Sequence, residues 1–444
     1  MAADSSADPN EREGDDVLRK LEDYESEMFF CGRCSYCKWV NAPDLKSHRF
    51  SGICPSIRDG SFHAYSGGGR VNVANSYLKG RLALTDKMMD VIYRCTMCGA
   101  CDTNCRVVLG NMLSVNEILH ALRVRCAADG RILPRHAAMM DKLRKEDNWF
   151  GAARIGRGNW AQGLGLRDAA EEKVDVLLHV GCRLSYDQDL RHVARGYATL
   201  LGKTGVDFGI ALTQETCCGL RAFEIGFPDE MEKCARDMVR RIAASGATKL
   251  VAVCSDCYSA FKYYYPWVGV KLDIEILHIT EYLDGLLREG KLKLTKEVRK
   301  KVTYHDPCHL GRLGEVYQPW EGEWKEVLGH MLVSEPTKPV RAGENGVYEP
   351  PRNILRHIRG LELVEMERNR LNSWCCGAGA GAFEAFPDFT YRTALERLEE
   401  AKATGAEALV TACPWCERVF RDTVKQSGSK LRVYDIIELI GRAR

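Results

Sequence analysis

The stretch "WCCGAGAGAF" (residues 374–383) sets two adjacent cysteines before a run of glycines, and "TCCGLRAF" (216–223) nearly repeats it. The repeat extends on both sides of the cysteine pair. Its flanking segments match in two pairs: "VDVLLHVGC" (174–182) with "KVTYHDPC" (301–308), and "TKLVAVCSDC" (248–257) with "EALVTACPWC" (407–416). A unit of about 130 residues is too long for a solenoid repeat, so the chain is expected to hold two homologous domains.

Each copy alternates short apolar runs with longer helical patterns. Runs of Val, Leu and Ala end at a cysteine and give way to segments such as "EKCARDMVRRIAAS" (232–245) and "YRTALERLEEAKAT" (391–404). This alternation predicts an α/β fold with a mainly parallel sheet and helices on both faces. Ligands on such sheets lie at the carboxyl ends of strands, where we expect Cys182, Cys254, Cys308 and Cys413.

Each copy therefore presents five cysteines at one edge of its sheet. They are Cys182, Cys217, Cys218, Cys254 and Cys257 in the first copy, and Cys308, Cys375, Cys376, Cys413 and Cys416 in the second. A regular 4Fe-4S cubane takes four thiolates, and two adjacent side chains cannot easily chelate one iron. Five cysteines therefore suggest an opened cluster or bridging thiolates. Gly219 and Gly377 follow the pairs and permit close approach of backbone N–H groups to cluster sulfur.

Two further cysteine motifs lie near the N-terminus, "FFCGRCSYCKWV" (29–40) and "YRCTMCGACDTNCRV" (93–107). Three cysteines at i, i+3 and i+6 can wrap a 4Fe-4S cubane, with a fourth ligand from the other motif, as in bacterial ferredoxins. Zinc is the alternative, but its sites usually split into two CxxC knuckles. We assign one cubane to Cys31, Cys34, Cys37 and Cys105, and the other to Cys95, Cys98, Cys101 and Cys54.

Composition excludes several other classes of protein. The 444 residues are 45% hydrophobic and carry a formal charge of +2, which removes a bulk electrostatic case for nucleic acid. No run approaches the roughly 20 apolar residues of a membrane-spanning helix, so we expect no direct membrane insertion. The first thirty residues hold ten acidic and three basic side chains and lack a signal or presequence pattern. We expect a cytoplasmic protein, with any membrane association made through a partner.

These patterns divide the chain into four predicted parts. Residues 1–28 are expected to form a disordered acidic tail, and residues 29–150 a helical ferredoxin-like domain. The two repeats are expected over residues 174–290 and 300–444. Cys126 and Cys234 lie outside every motif, in helical patterns, and are predicted to be ordinary buried cysteines.

The second repeat carries an insertion near residues 313–345. Between the first cysteine and the cysteine pair it has 66 residues, against 34 in the first repeat. Pro319, Trp320, Trp324 and Pro336 suit a docking loop or a lid over the site, and a tolerated surface insertion is an equal alternative.

Three histidines border the cysteines of the repeats. His179, His305 and His309 could donate protons to a leaving thiolate. The alternative for each is a packed or hydrogen-bonded neighbour.

The spacing Cys, 34 residues, Cys-Cys, 35 residues, CxxC resembles the CCG-domain family. That family includes the catalytic subunits of heterodisulfide reductases and the iron–sulfur subunits of glycolate, lactate and glycerol 3-phosphate oxidoreductases. A ferredoxin-like part at the N-terminus of the same chain is similar to the D subunit of heterodisulfide reductase. It is also similar to the proteins resembling this D subunit in class II benzoyl-coenzyme A reductase complexes. The resemblance covers about residues 29 to 444.

This resemblance implies two Rossmann-like CCG domains, each binding a noncubane 4Fe-4S cluster, and a joint role of both clusters in cleaving a disulfide. It also implies a multi-subunit anaerobic complex with a flavoprotein similar to the A subunit of heterodisulfide reductase, or another redox subunit. Two alternatives stay open. The chain could be an electron relay to an enzyme such as benzoyl-coenzyme A reductase, or a quinone-linked subunit of a 2-hydroxy acid dehydrogenase.

Overall fold

The N-terminal part of the chain is helical, as the spacing of Leu, Met and Ile between the two cysteine motifs predicts. A computed structural model describes residues 18–315, 322–329, 331–337 and 339–444. The α-helices of this part are α1 (Glu25–Met28), α2 (Pro55–Gly60), α3 (Gly67–Leu78), α4 (Asp86–Tyr93), α5 (Ala100–Leu109), α6 (Val115–Ala128) and α7 (Pro134–Glu146). α3 and α4 pack on α6 and bury Val71, Ile92 and Leu122 in one core.

The disordered acidic tail predicted for residues 1–28 extends too far along the chain, because its last residues are helical. Residues 1–17 lie outside the described part of the chain, but a 3-10 turn begins at Leu21 and continues directly into α1. Leu21, Tyr24 and Met28 are only 2 to 3% exposed. Their spacing of three and four residues forms an apolar helical stripe. Glu22, Asp23 and Glu25 between them are exposed, whereas Glu27 is buried and pairs with Arg19. The acidic composition therefore concealed a short amphipathic segment that packs on α6.

The first repeat forms a five-stranded parallel sheet in the order β1-β3-β2-β4-β5. Its elements are β1 (Arg167–Asp168), β2 (Val176–His179), α8 (Gly181–Tyr186), α9 (Arg191–Gly202), β3 (Phe208–Ile210), α10 (Leu220–Glu224), α11 (Pro228–Ser245), β4 (Lys249–Ala252), α12 (Ser255–Ser259), β5 (Glu275–His278) and α13 (Ile279–Arg288). The central strands β2 and β4 end side by side, since His179 pairs with Ala252. The cysteines that follow these strands therefore emerge at the same edge.

The second repeat forms a four-stranded parallel sheet in the order β11-β10-β6-β9. Its elements are β6 (Lys300–Tyr304), β7 (Glu323–Val327), β8 (Met331–Glu335), α14 (Glu349–His357), β9 (Leu361–Val364), α15 (Ala382–Ala385), α16 (Pro387–Ala403), β10 (Ala408–Thr411), α17 (Pro414–Ser427), β11 (Arg432–Asp435) and α18 (Ile436–Ala443). Read from β9 to β11, this order matches β3-β2-β4-β5 of the first sheet. The predicted α/β fold with two duplicated domains is confirmed.

The insertion of the second repeat contains the antiparallel hairpin β7–β8. Its return segment contacts the N-terminal helical part: Arg106 Nη1 donates to the carbonyl of Arg341 at 2.7 Å, and Asn111 Nδ2 donates to that of Pro339 at 3.0 Å. Pro319 and Trp320 lie outside the described residues. The role of a docking loop or lid stays a prediction.

Candidate metal centres

The first N-terminal cysteine set surrounds the start of α3. The N–H of Gly68 donates to Cys37 Sγ at 3.3 Å, and a Cβ at Gly68 would lie 3.3 Å from Cys31 Sγ, so a larger residue would fill the space between these thiols. Cys105, from α5, joins this set. The pKa of Cys105 is raised to about 12. Burial is the main cause, followed by the neighbouring charges of Asp102, Cys37, Cys31 and Cys34.

The second N-terminal set lies on the other side of the same glycine turn. Cys54, the residue before α2, lines one cavity together with Cys95, Cys98 and Cys101. Burial raises the pKa of Cys54 to about 12, and Cys95 and Cys98 add to the shift. A Cβ at Gly67 would lie 3.3 Å from Cys101 Sγ. The fold thus places Cys105 near Cys31 and Cys37, and Cys54 near Cys95 and Cys98. Their shared ligation of two clusters stays a prediction.

The five cysteines of the first repeat gather at the ends of β2 and β4. Cys182 interacts with Cys217, Cys218 with Cys257, and Cys257 with Cys254. Gly219 takes a φ of 76°, which lets its N–H turn back and donate to Cys217 Sγ at 3.4 Å. Hydrogen bonds from the thiols of Cys217 and Cys257 lower the pKa of Cys218 to about 6.

The second repeat reproduces this arrangement. Gly377, with a φ of 97°, donates its N–H to Cys375 Sγ at 3.3 Å. Hydrogen bonds from the thiols of Cys375 and Cys416 lower the pKa of Cys376 to about 5. In both repeats, hydrogen bonds from neighbouring thiols lower the pKa of the second cysteine of the pair. In the second repeat the pKa of Cys413 is also lowered well below its usual value, because hydrogen bonds from the thiols of Cys254 and Cys416 outweigh burial.

Three of the four cysteine sets touch one another. Cys98 of the second N-terminal set interacts directly with Cys375, and Thr96 Oγ1 lies 3.3 Å from Cys375 Sγ. The sulfur atoms of Cys254 and Cys413 lie within 4.8 Å of each other. In space, the second N-terminal set therefore contacts the set of the second repeat, and that set contacts the set of the first repeat.

Sequence reasoning missed the polar residues that hold the first repeat's site. Arg157 is fully buried; its Nη2 donates to Cys182 Sγ at 3.2 Å and its Nε to Glu215 Oε1 at 3.3 Å. Glu215 also accepts the N–H groups of Val180 and Gly181 at 3.0 and 3.1 Å, which orders the turn from β2 into α8. Glu215 lies two residues before the repeated cysteine pair, so its position in the sequence could have marked it as a site residue. Arg157 lies in the linker, where no pattern marks it.

The three candidate histidines are all buried, and burial lowers their pKa values. His305 has the clearest geometry: Arg397 Nε donates to its Nδ1 at 3.1 Å, so the neutral ring carries its proton on Nε2. One of its ring nitrogens lies within 4.8 Å of the sulfur atoms of Cys376 and Cys416. His309 Nε2 lies 3.2 Å from Glu224 Oε1. Their role as proton donors stays a prediction.

Of the two cysteines outside the motifs, Cys234 lies next to the first repeat's site. It is buried on α11, and a Cβ at Gly219 would lie 3.2 Å from its sulfur. The corresponding glycine of the second repeat, Gly377, faces Thr393 instead. Cys126 is buried on α6.

The donor sets fit iron–sulfur clusters. All twenty cysteines are free thiols, and eighteen of them fall into the four sets described above. Backbone N–H groups donate to sulfur in these sets, as is common around Fe–S clusters. Burial raises the pKa of Cys101, and the thiols beside it raise it further, so several thiolates can coexist there only with compensating positive charge such as iron supplies.

Comparison with known proteins agrees with this fit. Residues 27–109 match the model of the 4Fe-4S dicluster domain, and residues 176–262 and 340–421 match that of the cysteine-rich domain CCG. The fold and its cysteine sets define an iron–sulfur oxidoreductase subunit. In the described part of the chain, no helix is long and apolar enough to cross a membrane.

Curated relatives narrow the class to one family. The D subunit of dihydromethanophenazine:CoB–CoM heterodisulfide reductase from Methanosarcina acetivorans is 31% identical over 435 residues, which cover 94% of each chain. The chain belongs to the family of heterodisulfide reductase D subunits. EtfAB:quinone oxidoreductase of Syntrophomonas wolfei is 28% identical over 80% of this chain and 46% of that protein. The B subunit of fumarate reductase (CoM/CoB) from Methanothermobacter marburgensis is 27% identical over 79% of this chain and 61% of that protein.

Proposed function

We propose that this subunit reduces a disulfide at the junction of its two five-cysteine sets. The observation that carries the proposal is the approach of Cys254 to Cys413, which joins the two sets at their facing edges. A disulfide bound at this junction would have one sulfur beside each set. Cleavage consumes two electrons and two protons and yields two thiols.

The residues that would hold the clusters are the four cysteine sets. Cys31, Cys34, Cys37 and Cys105 would hold one cubane 4Fe-4S cluster, and Cys54, Cys95, Cys98 and Cys101 the other. Each five-cysteine set would hold a further 4Fe-4S cluster of the noncubane type. Such clusters supply one electron each when bound. The contact of Cys98 with Cys375 supports delivery from the helical part to the second repeat.

The surrounding residues would supply the protons and exclude water. Burial raises the pKa of Glu224 to about 7, so its carboxyl group retains a proton close to neutral pH. Because burial lowers the pKa of His309, its neutral ring would act as a relay: Nε2, 3.2 Å from Glu224 Oε1, would take this proton while Nδ1 releases its own proton towards the leaving thiolate. Trp374 and Tyr265 are fully buried beside the two cysteine pairs, and Tyr265 donates to the carbonyl of Cys218 at 3.1 Å.

The test is anaerobic purification followed by iron and sulfide analysis and low-temperature EPR, with and without an added disulfide or thiol. We expect about 16 irons per chain and a new paramagnetic signal only with the added compound. The variant Cys376→Ser should remove that signal and leave the cubane signals intact. Full iron without a thiol-dependent signal would favour the relay function, and about eight irons would show that the five-cysteine sets hold no clusters.

The partners belong to the same proposal. Relatives are subunits of redox complexes, which supports a redox partner, and we propose a flavoprotein or another electron-carrying protein in that place. We place the complex in the cytoplasm, with any membrane attachment supplied by the partner. Purification of the native complex and identification of its flavin content would test this assignment.

A further inference from the structure

The surface around the first N-terminal cysteine set is unusually apolar. Phe30, Tyr36, Trp39 and Phe62 are 43%, 39%, 49% and 70% exposed. α5 packs beside the 3-10 turn Tyr36–Lys38 and adds the exposed side chains of Val107 and Val108. We call these residues, with the cysteine loop between them, the first-cluster face. Exposed apolar groups that gather in one area mark an interaction site, whereas scattered ones do not.

A cysteine of the cluster set reaches the solvent in this face. Among the twenty cysteines, only Cys34 is exposed, and it lies between Phe30 and Tyr36 in the chain. A partner that covers the apolar side chains would therefore come into contact with a thiol of the first set. This combination favours a redox protein over a partner that only anchors the subunit.

The charge of the first-cluster face is positive. Residues 29–63 contain five Lys or Arg and two Asp, in a chain whose formal charge is only +2. Arg49 and Arg58 pair with Glu399 and Glu396 of α16, whereas Arg33 and Lys38 belong to the cysteine loop of the face. Asp44 accepts a hydrogen bond from Asn372 at 2.9 Å, and Asp59 pairs with Arg94 and Arg392, so both acids are engaged within the molecule. The pKa of His63 is lowered mainly by burial and then by the positive charges of Lys38 and Arg33, which therefore lie close to it.

We propose that the first-cluster face docks an acidic one-electron carrier protein, whose own redox centre lies near a rim of Asp and Glu. The inference rests on the proposed function and adds the place and the chemistry of the partner. Each transfer oxidises the carrier by one electron and reduces the subunit by one electron. Basic side chains would steer the encounter, and the aromatic side chains would supply the buried contact.

The experiment uses the cluster-loaded full chain and reduced flavodoxin, an acidic one-electron donor, in stopped-flow mixing. Lys38→Glu should slow reduction roughly tenfold and flatten its dependence on ionic strength. Phe62→Ser, which replaces no cysteine, should weaken flavodoxin binding in calorimetry without changing the iron content. Lys430→Glu, in a basic cleft beside β11, is the matched control and should change neither quantity.

Titanium(III) citrate, a small reductant, separates docking from function. The variants should accept its electrons at the wild-type rate and still produce the disulfide-dependent EPR signal. The proposal is overturned if Lys38→Glu and Lys430→Glu slow flavodoxin equally, if neither does, or if Phe62→Ser loses binding to anionic phospholipid vesicles instead. Loss of the disulfide signal in the wild-type protein with flavodoxin docking intact would overturn the proposed function alone.

Discussion

Double variants of the N-terminal cysteines can decide how the two cubane sets share their ligands. The structure groups Cys105 with Cys31, and Cys54 with Cys95. Cys31→Ala with Cys105→Ala therefore removes two ligands of the same set and should cost one cluster, from about 16 irons to about 12. Cys31→Ala with Cys54→Ala removes one ligand from each set and should cost two clusters, leaving about eight.

The assay is iron and sulfide per folded chain after anaerobic purification and size-exclusion chromatography. Cys126→Ala is the matched control, since this buried thiol lies on α6 outside every set, and it should retain about 16 irons. An uncrossed pairing would exchange the two results. If the variant with Cys31 and Cys54 replaced kept about 12 irons, the grouping seen in the fold would not be the grouping of the ligands.

Two further predictions concern the second repeat. Arg352→Leu should lower the free energy of unfolding by about 3–5 kcal/mol in chemical denaturation, because Arg352 is fully buried and holds Asp306 through two hydrogen bonds of 2.6 and 3.0 Å. Burial raises the pKa of Asp435 to about 7, so the folded state binds more protons than the unfolded state between about pH 4 and 7. Stability should fall by more than about 1 kcal/mol as the pH rises through this range, and Asp435→Asn should reduce the fall.

Exposed residues of the same types serve as controls. Arg356→Leu breaks a surface pair with Glu349 and should cost less than about 1 kcal/mol. Asp273→Asn, at an exposed site, should leave the pH dependence unchanged. Equal losses for the two arginine variants, or an unchanged slope in Asp435→Asn, would contradict the burial argument.

The cysteine sets could be predicted because their chemistry is local. Cys31, Cys34 and Cys37 are close in the chain and therefore close in space, and strands that alternate with helices bring residues such as Cys182 and Cys254 to one edge. The contact of Cys98 with Cys375 could not be predicted. It depends on how the helical part packs on the second repeat, and neither motif carries information about that packing.

Duplication produced two similar sites, but the rest of the chain contacts them differently. The first repeat's site is bounded by the linker, where Arg157 donates to Cys182, and by the end of α7, where Asp147 Oδ1 accepts from the N–H of Cys217 at 3.4 Å. The second is bounded by the helical part, through the contact of Cys98 with Cys375. Equal strand order therefore does not make the sites equivalent. In the first site a guanidinium group donates directly to a thiol. In the second site the buried Arg312 donates to the carbonyls of Cys98 and Ser373, and a thiol of another set is in contact. If each set holds a cluster, the two clusters should therefore differ in reduction potential although their five ligands are of the same type.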